Sequence, residues 1–171
     1  GGAVTLAGAG AGSVNVIANT LGAEIRGGSD VTTVAGEVNL YAADLSVIVS
    51  AAGAGAVSGG GGAGGGVSGQ AGASFANNTI ANRITASIDG SRVSAFGGVR
   101  LEALESAHIV AATIGFSGGG SGGAGGGVQV SAAGSMTVNV IGNTLEASIR
   151  NGADVTAGGA VALAAKDHSS I

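Results

Sequence analysis

The sequence predicts an all-β chain, a repetitive β-solenoid with ordered glycine-rich segments, on three observations. Matched positions recur about 62 residues apart: Ile25, Ile88, Ile149; Val31, Val93, Val155; Leu40, Leu101, Leu163. Short runs rich in Val, Ile and Thr are bounded by Gly, Asn and Asp, which are strand and turn signals. Glycine runs recur in step, ending at Val67 and again at Val128. A fixed period marks one supersecondary unit copied, each copy covering its neighbour's open face. Residues 1–171 therefore read as a single repeat array of about 2.75 copies, approximately 4–66, 67–127 and 128–171. Both ends fall inside a repeat without a polar cap, so the expectation is an excerpt of a longer array or a protomer that stacks.

Each repeat has two halves. In the third copy the first half predicts strands at 136–141, 145–149, 154–157 and 160–164, separated by turn residues. Gly27, Gly90 and Gly152 sit at equivalent turns and are expected as corner glycines, because a corner needs positive φ. The second half is glycine-dominated, over 50–72 and 117–127. A flexible linker is the plain reading of such a run. Recurrence at fixed length argues instead for order, as extended strands or polyproline-II-like rods. Residues 100–113 are rich in helix formers. Their counterparts in the other copies alternate, so the segment reads as strand. Successive strands start only a few residues apart, which predicts about three coils of ~20 residues per repeat.

Stacking places equivalent residues in columns. Asn15, Asn78 and Asn139 form one, and Asn19, Asn82 and Asn143 another. They read as structural asparagine ladders, with amides bonded along the stack; a polar binding stripe is the alternative. Two charge columns alternate in sign: Arg26, Asp89, Arg150 and Asp30, Arg92, Asp154. Alternation at that period favours one coil per repeat, at about 4.8 Å between layers. Three coils would separate these charges by about 14 Å, beyond the Debye length of about 8 Å. The two arguments conflict.

Composition narrows the function classes. With 37 Gly, no Cys, no Pro and 2% aromatics, any core must be thin and close-packed. The absence of Cys removes thiolate metal sites and cysteine nucleophiles. A net charge of −4 disfavours nucleic acid, which calls for basic patches. No apolar stretch has transmembrane length, and one Tyr with three Phe cannot furnish the aromatic girdles of an outer-membrane barrel.

Catalytic patterns carry little. Gly-x-Ser-x-Gly matches around Ser117 and Ser121 lie in Gly/Ser-rich sequence where chance supplies them, with no helix to follow. His108 and His168 lack recurrent ligands and read as exposed polar residues. Glu102 and Glu105 could pose as an acid/base pair. Their equivalents, taken as Asn39/Ala42 and Ala162/Ala165, lack carboxylates, so a solvated face is the reading. No cofactor is expected. A calcium-binding roll needs tandem nine-residue motifs. Only sporadic calcium, near Gly27-Gly28-Ser29-Asp30, stays open.

The phrases ASIDGSRVSAFGGVRLEALES and ASIRNGADVTAGGAVALAAKD resemble the passenger regions of large bacterial filamentous adhesins. These belong to two-partner secretion and autotransporter systems, of the filamentous-haemagglutinin-like or leukotoxin-like kind. The resemblance implies export, folding outside the cell or at its surface, and a rod-like form; it transfers no catalytic residue. The expected function is a non-catalytic structural rod or self-associating fibre whose partner is itself, end to end or laterally. The alternative is an adhesin module that holds a host or neighbouring-cell glycan or protein. A pectin-lyase-like enzyme is the remote third, and six basic residues supply it poorly.

Overall fold

The computed structural model describes residues Gly1–Ile171. It is all-β, a solenoid of parallel strands in register, without a helix. The first copy gives β1 (Ala3–Ile17), β2 (Thr20–Arg26), β3 (Asp30–Thr33), β4 (Val38–Asp44) and β5 (Val47–Gly61). The second gives β6 (Gly66–Ile80), β7 (Arg83–Asp89), β8 (Arg92–Ala95), β9 (Val99–Glu105) and β10 (His108–Gly122). The third gives β11 (Gly127–Ile141), β12 (Thr144–Arg150), β13 (Asp154–Ala157) and β14 (Val161–Asp167).

Each strand pairs with its own equivalent in the next copy, so one repeat is one layer. Thr20 pairs with Arg83 and Arg83 with Thr144; Val31 pairs with Val93 and Val93 with Val155. This corrects the expectation of three coils per repeat. The short strand spacing that suggested it belongs only to β2–β4 and their copies. The 15-residue strands β5, β6, β10 and β11 account for the remaining length. They run through the glycine-rich halves, which are strand apart from the turns at 62–65 and 123–126. Residues 100–113 are strand too, shared between β9 and β10 with a break at Ser106-Ala107.

The chain forms two compact units, and every copy contributes to both. One comprises Val16–Val47, Thr79–Ile109 and Val140–Ile171. It holds three parallel three-stranded sheets, ordered β12-β7-β2, β13-β8-β3 and β14-β9-β4. Alternation turns Leu21, Ala23 and Ile25, Val31, then Val38, Leu40 and Ala42 inward, with their copies above. Ile84, Ile88, Val93 and Leu101 of the middle layer are fully buried, since layers cover them on both sides. Burial of each such side chain contributes about 1.5–3 kcal/mol.

The corners follow the sequence. Gly27, Gly90 and Gly152 have φ of 73°, 52° and 71°, the left-handed region in which a Cβ is penalised. Asn151 takes the same region at φ 56°, which Asn tolerates better than other side chains.

The other unit comprises Gly1–Asn15, Ile48–Asn78 and Val110–Asn139. It contains a β1-β6-β11 sheet and a β10-β5 sheet. Its inward residues are small, such as Ala54, Ala56, Ser68, Gly72, Ser74 and Ala76. The two sheets approach at glycines: a Cβ on Gly66 would lie 2.8 Å from Gly60 C, and one on Gly127 2.7 Å from Ser121 C. Side chains cannot fit there, so main chain packs on main chain. Glycine is required in these rows by contact rather than by flexibility.

Candidate functional site

The structure brings the asparagines at 15, 78 and 139 and at 19, 82 and 143 into columns that bond along the stack. In the glycine-rich unit Asn15 Nδ2 donates to Asn78 Oδ1 at 2.8 Å. Asn78 Nδ2 in turn donates to Asn139 Oδ1 at 2.8 Å. Asn78 is fully buried. Its amide gives and receives within the column, which leaves it little capacity for a ligand.

The second asparagine column, in the apolar-cored unit, is wired differently. The Asn19 N–H donates to Asn82 Oδ1 at 2.8 Å, and the Asn82 N–H to Asn143 Oδ1 at 3.0 Å. Their side-chain nitrogens point across the layer. Asn19 Nδ2 donates to Asp44 Oδ2 at 2.9 Å, Asn82 Nδ2 to Glu105 Oε1 at 3.2 Å, and Asn143 Nδ2 to Ser169 Oγ at 3.2 Å.

These partners expose a column that sequence reading missed. Asp44, Glu105 and Asp167 pair in register, so three carboxylates stack in consecutive layers. Asp44 is buried and Glu105 fully so. The solvated-face reading of Glu105 is therefore wrong, and its equivalents are Asp44 and Asp167 rather than Ala42 and Ala165. The signal was present: an acid closes NLYAAD, RLEALE and VALAAKD alike, in phase with Leu40, Leu101 and Leu163, of which the first two are buried. Burial pushes the Glu105 carboxyl up, the Asn82 amide pulls it down, and the Asp44 and Asp167 charges push it up again. Its Oε2 is buried without a hydrogen-bond partner.

Glu102 sits otherwise, receiving Lys166 Nζ at 2.8 Å and Arg100 Nε at 3.1 Å. Those donors hold its carboxyl below the usual range. In each alternating charge column the second and third layers are bonded: Arg150 Nε donates to Asp89 Oδ2 at 2.9 Å, and Arg92 Nη2 to Asp154 Oδ2 at 3.0 Å. Asn151 Nδ2 adds a bond to Asp89 Oδ1 at 2.7 Å.

The histidines fall in different columns. His108 bridges to Ser170, its Nδ1 lying 2.7 Å from Ser170 Oγ, while His168 is exposed two positions earlier. No group of three or more His, Cys, Asp or Glu converges as a metal ligand set. Ser117 and Ser121 lie within β10, not at a strand-to-helix turn. The arrangement can pair main chain, hold like layers in register and pair opposite charges along the stack. Comparisons of the chain with protein-family models, with curated proteins and with solved structures return no match.

Proposed function

We propose that this chain is a non-catalytic structural segment of a β-rich rod or self-associating fibre outside the cell, at a bacterial surface. The observation that carries the reading is the register: every sheet in both units pairs copy on copy, and the buried asparagines bond within the stack. Strand edges built this way offer unpaired N–H and C=O groups to a further layer. The placement outside the cell rests on the resemblance of the corner motifs alone. Negative-stain microscopy and fibre diffraction of the purified chain, in high salt, test it. Rods that lengthen along the stacking axis, with a reflection near about 4.8 Å, are expected. Compact particles that never elongate, at any concentration or salt, overturn it.

A second reading, an adhesin module, has one observation in its favour. A shallow apolar groove of about 380 Å³ lies on the glycine-rich unit between Leu6, Val67, Gly69, Ala71 and Val130. Binding to a glycan or protein array with loss in a Leu6→Ser, Val67→Ser variant would shift weight to it.

A further inference from the structure

We propose that the open edge formed by β12, β13 and β14 accepts a β-coil layer presenting an acid opposite Arg150 and a base opposite Asp154, and disfavours a second copy of this chain in register. The proposal rests on the rod reading, since it names the partner that such an edge selects. In the apolar-cored unit the sheet orders place β12–β14 at one edge and β2–β4 at the other. Each edge strand has one row of backbone groups without a strand to pair.

The two edges carry the same signs. Arg26 and Asp30 stand in the first layer, Arg150 and Asp154 in the third. Only the middle layer inverts them, with Asp89 and Arg92. Parallel in-register pairing sets equivalent residues about 4.8 Å apart, well inside the Debye length of about 8 Å. Within the chain every neighbouring pair in these two columns is therefore opposite in sign. Stacking a second copy onto the open edge would bring its Arg26 onto Arg150 and its Asp30 onto Asp154.

Existing partners temper the clash without removing it. Arg150 is already bonded to Asp89 and, at 2.7 Å, to Glu146. Arg26 lies 3.5 Å from Glu24. Arg92 turns to Asp154 at 3.0 Å. The Asp44, Glu105, Asp167 column is acidic in every layer, so it does not discriminate between partners. The favoured partner thus looks like the middle copy at its corner, where Asp89-Gly90-Ser91-Arg92 reads acid, turn, base. Like charges directly opposite disfavour strand pairing and opposite charges favour it.

The test uses the whole chain and a six-site reversal, R26D, D30R, D89R, R92D, R150D and D154R, which keeps the alternation inside the chain and inverts both edges. Circular dichroism checks that it folds, and sedimentation velocity reads association. At low salt each protein alone is expected to associate weakly. An equimolar mixture is expected to bind at least about tenfold more tightly, an advantage that high salt removes. Equal association in all three samples overturns the charge rule and leaves edge pairing standing. No association in any sample at any salt overturns both. Should the reversal not fold, the wild type alone decides: self-association must strengthen as salt rises, and weakening with salt overturns the proposal.

Discussion

Asn82 Nδ2 donates to Glu105 Oε1 at 3.2 Å, the one hydrogen bond that this fully buried carboxylate receives. Asp44 and Asp167 stack against it in the layers on either side, and no Lys or Arg contacts it. Burial, opposed by the Asn82 amide and then reinforced by the two neighbouring acids, holds its folded titration above the ordinary carboxyl range.

The sign of the linkage follows. A carboxyl with a raised folded pKa binds its proton more tightly in the native state than in the unfolded chain. Its favourable contribution is full below the ordinary value of about 4.3 and is lost as pH climbs through the raised one. Glu105→Gln removes the charge and supplies an amide donor for the stacked acids. The variant should match wild type in acid and exceed it at neutral pH by about 1–3 kcal/mol, the cost of a buried unsatisfied polar group. Urea unfolding across a pH series measures it. A difference that does not grow with pH refutes the assignment.

Asn78→Ala should be the costliest truncation in the asparagine columns. It deletes two amide bonds of 2.8 Å and strands Asn139 Oδ1, while Asn15 Nδ2 keeps its bond to Ser13 Oγ at 3.0 Å. At about 1 kcal/mol per bond, a loss of about 2 kcal/mol or more is expected. Asn15→Ala, in an edge layer with one ladder bond, should lose about half as much. Equal losses in denaturant unfolding would mean that the ladder does not act as a chain.

The β class, the parallel register and the corners were legible because Val31, Val93 and Val155, and the glycines at 27, 90 and 152, keep their chemistry in all three copies. The layer count was hidden, since alternation is silent where a strand is mostly glycine and alanine, as in Val47–Gly61. Glu105 was misplaced for a different reason. The offset between the first two copies is 63 residues at β2/β7, 62 at β3/β8 and 61 at β4/β9. The corner Gly27-Gly28-Ser29 shortens to Gly90-Ser91, and the next turn shortens again. An offset of 63 carried through both turns sets Glu105 against Ala42, two residues short of Asp44.

Glycine in the second halves should be separable by contact. A Cβ on Gly72 would meet the Phe116 carbonyl oxygen and lie 3.4 Å from Ala54 O, so Gly72→Ala must part the two sheets. A loss of about 1–3 kcal/mol is expected from overpacking. Gly118, in the same glycine-rich unit, has nothing within 4 Å of a Cβ. Gly118→Ala should be neutral or gain about 0.4–1 kcal/mol by restricting the unfolded chain. Thermal or urea unfolding of the pair decides whether glycine there serves packing or pliancy.

The exposed corner makes an opposite pH prediction to Glu105. Asp89 accepts from Asn151 Nδ2 at 2.7 Å and Arg150 Nε at 2.9 Å, and these bonds, the Asn151 one foremost, hold its carboxyl below the ordinary range. A depressed folded pKa contributes stability above the ordinary value of about 3.9, which drains away as pH falls through the depressed one. Asn151→Gly removes the amide while keeping a residue at ease with φ 56°. The fold should survive, the Asp89 carboxyl should titrate closer to its ordinary value by NMR, and the acid-side loss of stability should begin at higher pH. If the Asp89 titration is unmoved in Asn151→Gly but rises in Arg150→Gln, the charge column rather than the corner amide governs it.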